Sequence, residues 1–396
     1  MEKWAVIACD QFTSDPAYWA RVAETVGNAP STLRLILPEA ELGTPQEAAH
    51  TEQINRTMEA YLQSGLFQTY ENAFVYVERT LQNGSVRKGL VGMVDLEAYD
   101  YTPGSTSAVR ATERTVTERI PPRQRVRRNA GLELPHILLL CDDDGKTLIE
   151  PISAGRDRLP KLYEFDLMEG GGHIAGYLVA GKEAEDFEAR LTAYTAACPE
   201  KYRDLPGTPL VFAVGDGNHS LATAKSCYEE LKARNPGVDL SRHPARFALV
   251  ELENIHDAAQ NFEPIHRVVT ETDPEALRKA LESWCAPGGY PVCWFAGDKT
   301  GTVYLDRSRS QLEVGVLQQF LDEYLAAHPG KIDYIHGDED LKHLAAQDRA
   351  IGFLLPAMAK GQLFRGVMAD GALPRKTFSM GHAREKRYYL EGRKIK

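Results

Sequence analysis

Apolar and polar positions along the chain divide it into short apolar runs and longer mixed segments with helical spacing. The runs at 4–8, 33–37, 74–80, 86–93, 136–141, 209–214, 246–252 and 265–269 read as strands. The segments at 16–26, 46–64, 184–198, 221–233 and 311–327 read as helices. Asp15-Pro16 suits a helix start, because aspartate caps the free amides and proline fits the first helical position; Gly65 suits a helix end. Asn83-Gly84, between two apolar runs, predicts a hairpin, and a second hairpin is expected across 297–301. Strands and helices intermix without strict alternation, so the expected class is α+β, with a mixed-sheet core carrying one strand–turn–helix motif. Pro and Gly concentrate at 285–291, the best linker candidate. It predicts a mixed α/β core domain over 1–284 and a smaller α+β C-terminal domain over 292–396. From Gly371 the chain turns basic and rich in Gly, Arg and Lys.

Composition adds limits. Of 396 residues, 43% are apolar and 26% charged, enough for a sizeable core. The six cysteines form no C-x-x-C pair, which points to a reduced compartment and to neither a zinc site nor a disulfide scaffold. The chain has no basic-then-apolar leader and no apolar window near the ~20 residues that span a bilayer, so a cytoplasmic protein is expected. A net charge of -10 disfavours nucleic acid and anionic lipid as partners over the whole surface. An anionic ligand must then be captured by a local pocket.

The sharpest local feature is Gly215-Asp216-Gly217-Asn218-His219-Ser220, between the run at 209–214 and the helix at 221–233. Glycine lets the backbone approach a ligand, and a helix start offers unpaired amides at the positive end of its dipole. Asn218 or Ser220 can cap that helix, while Asp216 and His219 project at its mouth. The same residues also read as a simple turn and cap, and they match neither a Walker loop nor G-x-G-x-x-G. A second feature runs from Val109 to Arg128, where seven arginines face two glutamates. Guanidinium forks bind phosphate and carboxylate, so Arg110 and Arg114 are candidate phosphate ligands, with Glu113 held ionised between them as base or metal ligand. The competing reading is a solvated, salt-bridged helix face. His266 and Arg267 open a strand after Pro264, and Lys376 lies in another basic turn, Leu373-Pro374-Arg375-Lys376-Thr377.

Together these segments resemble the bacterial domain-of-unknown-function 1015 family. The landmarks are 33–38, 89–96, Glu113-Arg114-Thr115, 216–220, 264–269 and 373–377, in that order along nearly the whole chain. Typical members read Asp-Gly-His-His-Arg at the central turn, a signature similar to the phosphate-binding motif of free-serine kinases built on the ParB/sulfiredoxin fold. The resemblance implies a ParB/sulfiredoxin-like core with large insertions and a phosphotransferase or phosphate-ester role, with serine or phosphoserine as candidate substrate. This chain departs from the motif: Asn218 replaces the first histidine, Ser220 the arginine, and Thr112 precedes Glu113 where a histidine is usual.

The expected machinery follows. Asp216, His219 and Glu113 are the catalytic candidates, and Gly217, Asn218, Ser220, Arg110, Arg114, His266, Arg267 and Lys376 bind phosphate or substrate. Asp216 is a candidate ligand for Mg²⁺ arriving with a nucleotide or pyrophosphate donor. The expected partner is a small phosphorylated metabolite. The alternatives are a ligand-responsive, ParB-like DNA-binding regulator and a non-catalytic metabolite sensor.

Overall fold

The computed structural model describes residues 1–13 and 15–396. Helices α1 (Pro16–Val26) and α2 (Glu47–Gln63) precede a hairpin of β1 (Ala73–Thr80) and β2 (Val86–Asp95). Short strands β3 (Tyr99–Asp100) and β4 (Val109–Ala111) lead to α3 (Ile120–Asn129), β5 (Leu132–Glu133), β6 (Leu138–Cys141) and α4 (Glu150–Ala154). A second hairpin, β7 (Lys161–Asp166) and β8 (His173–Ala180), is followed by α5 (Lys182–Lys201), β9 (Phe212–Asp216), α6 (Asn218–Arg234) and β10 (Phe247–Asn254). Next come β11 (Phe262–Pro264), β12 (His266–Thr270), α7 (Pro274–Leu281), β13 (Cys285–Ala296) and β14 (Lys299–Leu305). The chain closes with α8 (Glu313–Ala327), β15 (Lys331–Ile335), α9 (Asp338–Ala345), β16 (Ile351–Leu354), α10 (Lys360–Asp370), β17 (Phe378–Met380) and β18 (Arg393–Lys394).

Nine strands form a mixed sheet in the order β3-β4-β9-β6-β10-β2-β1-β8-β7, and five form an antiparallel sheet, β14-β13-β16-β12-β15. The mixed α+β class is therefore as expected. Local signals act as anticipated where the cause is local. The Asp15 carboxylate accepts the Tyr18 amide at 3.1 Å at the start of α1. Gly84 takes φ +81° in the turn between β1 and β2.

Two expected strands are absent. Ile7 makes a single antiparallel bridge to Tyr388, and Thr32–Arg34 is a turn of 3-10 helix. The Trp4 carbonyl accepts the Thr32 amide at 2.9 Å together with the Ser31 and Thr32 hydroxyls, so these two segments close on each other instead of joining a sheet.

The linker at 285–291 is also corrected. It lies inside β13, where Cys285 and Tyr290 both pair with Leu305 and the intervening Pro-Gly residues are absorbed as a bulge. The five-stranded sheet already includes β12, ahead of the division expected at 284–292. The last residues then return to earlier parts of the chain: β17 pairs with β11, β18 with β5, and the Tyr389 amide donates to the Val6 carbonyl at 2.8 Å. One continuous apolar core runs from Leu140 and Val214 to Phe320 and Phe353. A second, of Trp4, Val22, Ile54 and Tyr388 among others, lies under the N-terminal segment. No helix among the described residues is long and apolar enough to cross a membrane.

Candidate active site

Strands β4 and β9 run parallel, with Ala111 opposite Val214. Two residues further on, each chain carries a carboxylate, Glu113 and Asp216, so the sheet itself brings the two acids to one edge. Beyond Asp216 the chain must turn sharply into α6. Gly217 makes that turn at φ +76°, and a Cβ there would stand 2.9 Å from the Ile137 Cα, so only glycine fits. The helix begins at Asn218, three residues earlier than its periodicity predicts, and Gly217 rather than Asn218 or Ser220 occupies the cap position. The Gly217 amide donates to Asp216 Oδ1 at 2.8 Å, and the Ser220 and Leu221 amides close onto the Gly217 carbonyl. Among the described residues the amides of Asn218 and His219 have no acceptor, which leaves two donors at the positive end of a seventeen-residue helix.

Two residues of the C-terminal tail meet the carboxylates, Lys386 by its ammonium and Lys376 by its backbone amide. Lys386 Nζ lies 3.1 Å from Asp216 Oδ2, both side chains being largely buried. Glu113 Oε1 accepts the Lys376 amide at 3.1 Å, and the Leu373 amide bonds the Thr112 carbonyl at 2.7 Å, which docks that stretch beside β4. Burial raises the Glu113 carboxyl above its ordinary range and the neighbouring Asp216 adds to this, against the pull of Lys376. Burial also opposes charge on Asp216, yet Lys386 and the Gly217 amide hold its carboxyl below the usual value. The pair is thus divided into one acid biased to hold a proton and one biased to stay ionised.

Buried arginines fix both lysine-bearing loops. Arg79, 2% exposed, donates to the carbonyls of Arg384, Glu385 and Lys386 at 2.7, 3.0 and 2.6 Å, and twice to Gly171. Arg87 adds a bond to the Glu385 carbonyl at 2.9 Å. Arg267, fully buried, donates to the Lys376 and Arg375 carbonyls at 2.9 and 3.1 Å and to Gln318 at 3.1 Å. Its grip matters because Lys376 sits at φ +58°, a conformation costing a side-chain-bearing residue on the order of 1–3 kcal/mol.

Histidines complete the turn. His219 Nε2 accepts the Val116 amide at 3.3 Å, so its proton lies on Nδ1. Burial, then Arg123 and Arg119, push its imidazole down to about 4. Ser220 Oγ lies 2.8 Å from His136 Nε2, whose Nδ1 lies 3.0 Å from the Tyr389 hydroxyl. That hydroxyl also accepts the Cys9 amide at 3.1 Å. Burial lowers the His136 imidazole, leaving it neutral. The Asn218 Oδ1 atom is buried and has no hydrogen-bond partner among the described residues.

The other candidates divide. Arg110 is turned away from Glu113, its guanidinium bonding the carbonyls of Ser107 and Thr208. Arg114 is exposed and, among the described residues, forms no ion pair, so Glu113 is not held between two arginines. Arg119 and Arg123 share Glu39 at 3.9 and 3.1 Å, Arg127 meets Glu133 at 2.6 Å, Arg128 meets Glu230 at 3.0 Å and Arg125 pairs with Glu47. The salt-bridged face is the better description of α3, although Arg119 and Arg123 bear on His219. His266 is 1% exposed and fixed between Asp338 Oδ1, at 3.1 Å, and the Leu355 amide; it and Arg267 belong to the second sheet, where Arg267 serves the backbone of the Lys376 loop. Lys386, His136 and Tyr389 were missed. Only the basic tail signalled the first, and His136 was legible merely as the opening of a strand.

No group of three or more metal-ligating side chains occurs among the described residues. Both Asp216 oxygens and one oxygen of Glu113 are already engaged. Glu113 or a released Asp216 would be the carboxylate offered to a metal ion.

The family described as "Protein of unknown function (DUF1015)" matches residues 1–391. No curated protein matches the sequence. Among solved structures, a free serine kinase mutant in complex with ADP aligns over 77% of this chain and 92% of its own at 12% identity and a TM-score of 0.36. SbnI with a C-terminal truncation, from Staphylococcus aureus, aligns over 74% and 83% at 10% identity and a TM-score of 0.36. A conserved hypothetical protein from Pyrococcus furiosus aligns over 77% and 95% at 12% identity and a TM-score of 0.35.

Proposed function

The chain belongs to the DUF1015 family, and we propose that in it the Asp216 turn is the phosphate-binding centre of an enzyme that transfers or hydrolyses the phosphoryl group of a small polar metabolite. The observation that carries this reading is the meeting of opposite charges at one helix start. The free amides of Asn218 and His219 cradle phosphate oxygens, and Lys386 and Lys376 supply the cations that an anionic ligand requires. Asp216 anchors Lys386. Glu113, biased toward the protonated form by burial, exchanges a proton with the attacking or leaving hydroxyl. Neutral His219 donates from Nδ1 to a ligand oxygen. Phosphoryl transfer asks the protein mainly for positioning and charge stabilisation, which these groups supply. Serine and phosphoserine lead the substrate candidates through the motif resemblance, with a nucleotide or pyrophosphate as donor.

The DNA-binding alternative has lost its footprint, because five of the seven arginines between 109 and 128 are paired with carboxylates. A sensor would bind the same ligands without turnover. Isothermal titration with phosphoserine, serine, ADP, ATP and pyrophosphate, on wild type and Asp216→Ala, tests the reading. At least one phosphorylated ligand should bind wild type and lose affinity in the variant; the reading fails if none binds or if Asp216→Ala binds them equally.

A further inference from the structure

Ser220, His136 and Tyr389 form a chain of hydrogen bonds that phosphate binding alone does not require. It joins three distant parts of the sequence: the first turn of α6, the residues ahead of β6, and the C-terminal tail. A serine hydroxyl is a weak nucleophile by itself. It is activated when a neutral imidazole accepts its proton and a third group fixes the imidazole's tautomer. All three conditions are met by the tautomer that carries its proton on Nδ1 and donates it to the Tyr389 oxygen. Ser220 Oγ is 2.8 Å from His136 Nε2. Nδ1 is 3.0 Å from the Tyr389 oxygen, which already receives the Cys9 amide, and the phenol is itself almost fully buried. Ser220 stands one residue beyond the free amides of Asn218 and His219, in the same first turn of α6.

We infer that Ser220 is a nucleophile, with His136 as its base and Tyr389 as the positioning residue that orients the base, and that the transferred phosphoryl group passes through a covalent ester at Ser220 Oγ. The inference rests on the phosphoryl-transfer reading and deepens it. In the first half-reaction the Oγ–P bond forms as the bond from phosphorus to the leaving oxygen of a phosphate monoester breaks. The Oγ proton passes to His136 Nε2 and from there to the leaving oxygen. In the second, water or an acceptor hydroxyl gives its proton to Nε2 and attacks phosphorus, and the Ser220 Oγ–P bond breaks. Ser220 Oγ then recovers the proton from His136. No oxidant or reductant is needed.

Diisopropyl fluorophosphate tests the nucleophile without the natural substrate: the Oγ–P bond forms, the P–F bond breaks, fluoride leaves and the Oγ proton reaches solvent through His136. The full-length protein should take up one diisopropylphosphoryl group, mapped by mass spectrometry to the peptide holding Ser220. Ser220→Ala should take up none, and His136→Gln should label roughly 10²-fold more slowly, the typical contribution of a general base. Tyr389→Phe, which keeps the ring and the fold, should label more slowly with a displaced pH profile, a change that loss of packing alone does not produce. Absence of label, label at another residue, or equal labelling of folded His136→Gln and Tyr389→Phe overturns the relay. Phosphoserine titration of wild type separates the two failures: binding without labelling removes only the covalent step, and absence of binding removes the phosphate site as well.

Discussion

Two segments of this acidic chain are strongly basic, and they end differently. Residues 110–128 hold seven arginines against two glutamates, and 371–396 hold eight lysines and arginines against two glutamates. Most of the arginines in the first are neutralised by carboxylates from other elements: Glu39, Glu47, Glu133 and Glu230. The second delivers Lys386 to Asp216 and brings Lys376 to Glu113. Charge density is therefore a poor guide to which cation meets a ligand. Lys386 is ion-paired as well; what sets it apart is its place beside the free amides at the start of α6 and the rigid backbone that holds it there. Buried Arg79, Arg87 and Arg267 provide that rigidity by bonding carbonyls of the tail.

The comparison breaks if the tail does not depend on those arginines, so Arg79→Met carries the largest expected effect. It leaves the Gly171, Arg384 and Lys386 carbonyls without their donor, while the Glu385 carbonyl keeps Arg87. Each unsatisfied buried acceptor costs about 1–3 kcal/mol, so a total loss on the order of 3–5 kcal/mol is expected after relaxation. Urea unfolding monitored by tryptophan fluorescence measures it. A loss below about 1 kcal/mol would mean that the tail holds its place without Arg79.

Next in size is Lys386→Met, which removes a cation from the site and leaves the Asp216 carboxylate without its partner. Affinity for pyrophosphate or phosphoserine should fall roughly 10²-fold, the scale of one lost charged contact in a preorganised site. Arg123→Gln, on the other basic segment, should change it by less than about threefold, since Arg123 is held by Glu39 and acts on the site through the imidazoles of His219 and His136. Equal effects from the two substitutions would erase the distinction between the segments.

What the sequence disclosed, and what it hid, follows from the range of the interactions. The Asp15 cap, the Asn83-Gly84 hairpin and the strand entering the Asp216 turn are decided by neighbouring residues and were legible. The site was half legible. Glu113, Asp216, Gly217 and His219 meet because β4 and β9 lie parallel, a pairing consistent with their motifs but not derivable from them. His136, Tyr389 and Lys386 join the site through contacts spanning 84 to 253 residues, and no local pattern marks such contacts. The tail's Gly and basic residues gave no sign that Arg387 and Tyr389 pair with Ala8 and Val6. The Pro-Gly run at 285–291 misled for the opposite reason, since a bulge and a linker share one composition. The motif arginine is absent at Ser220, and the sequence offered Arg110 and Arg114 as candidate phosphate ligands. Arg110 instead serves backbone carbonyls, and Lys386 is the cation held beside the turn.

A smaller effect is expected from pH. His219 titrates near 4 in the folded chain against about 6.5 when unfolded. The unfolded chain therefore takes up the proton first, and stability falls as pH drops from about 6.5 through about 4. His136 and His266 are lowered too and add slope of the same sign. His219→Gln, which keeps an acceptor for the Val116 amide, should flatten part of the thermal-midpoint profile across that window. An unchanged slope would show that the arginines of α3 do not bear on His219.

The smallest effect sharpens the comparison from the other side. Arg128 and Glu230 join α3 to α6 by two hydrogen bonds of 3.1 and 3.0 Å, with side chains 40% and 29% exposed. Exposed pairs of this kind contribute about 0–1 kcal/mol, because solvent screens the attraction and two long side chains lose freedom in making it. Arg128→Ala should thus shift the urea midpoint only slightly and leave pyrophosphate affinity unchanged. A large loss of affinity would mean that α3 orients the free amides of Asn218 and His219 through α6, which would turn the arginine segment from a solvated face into a structural support for the site.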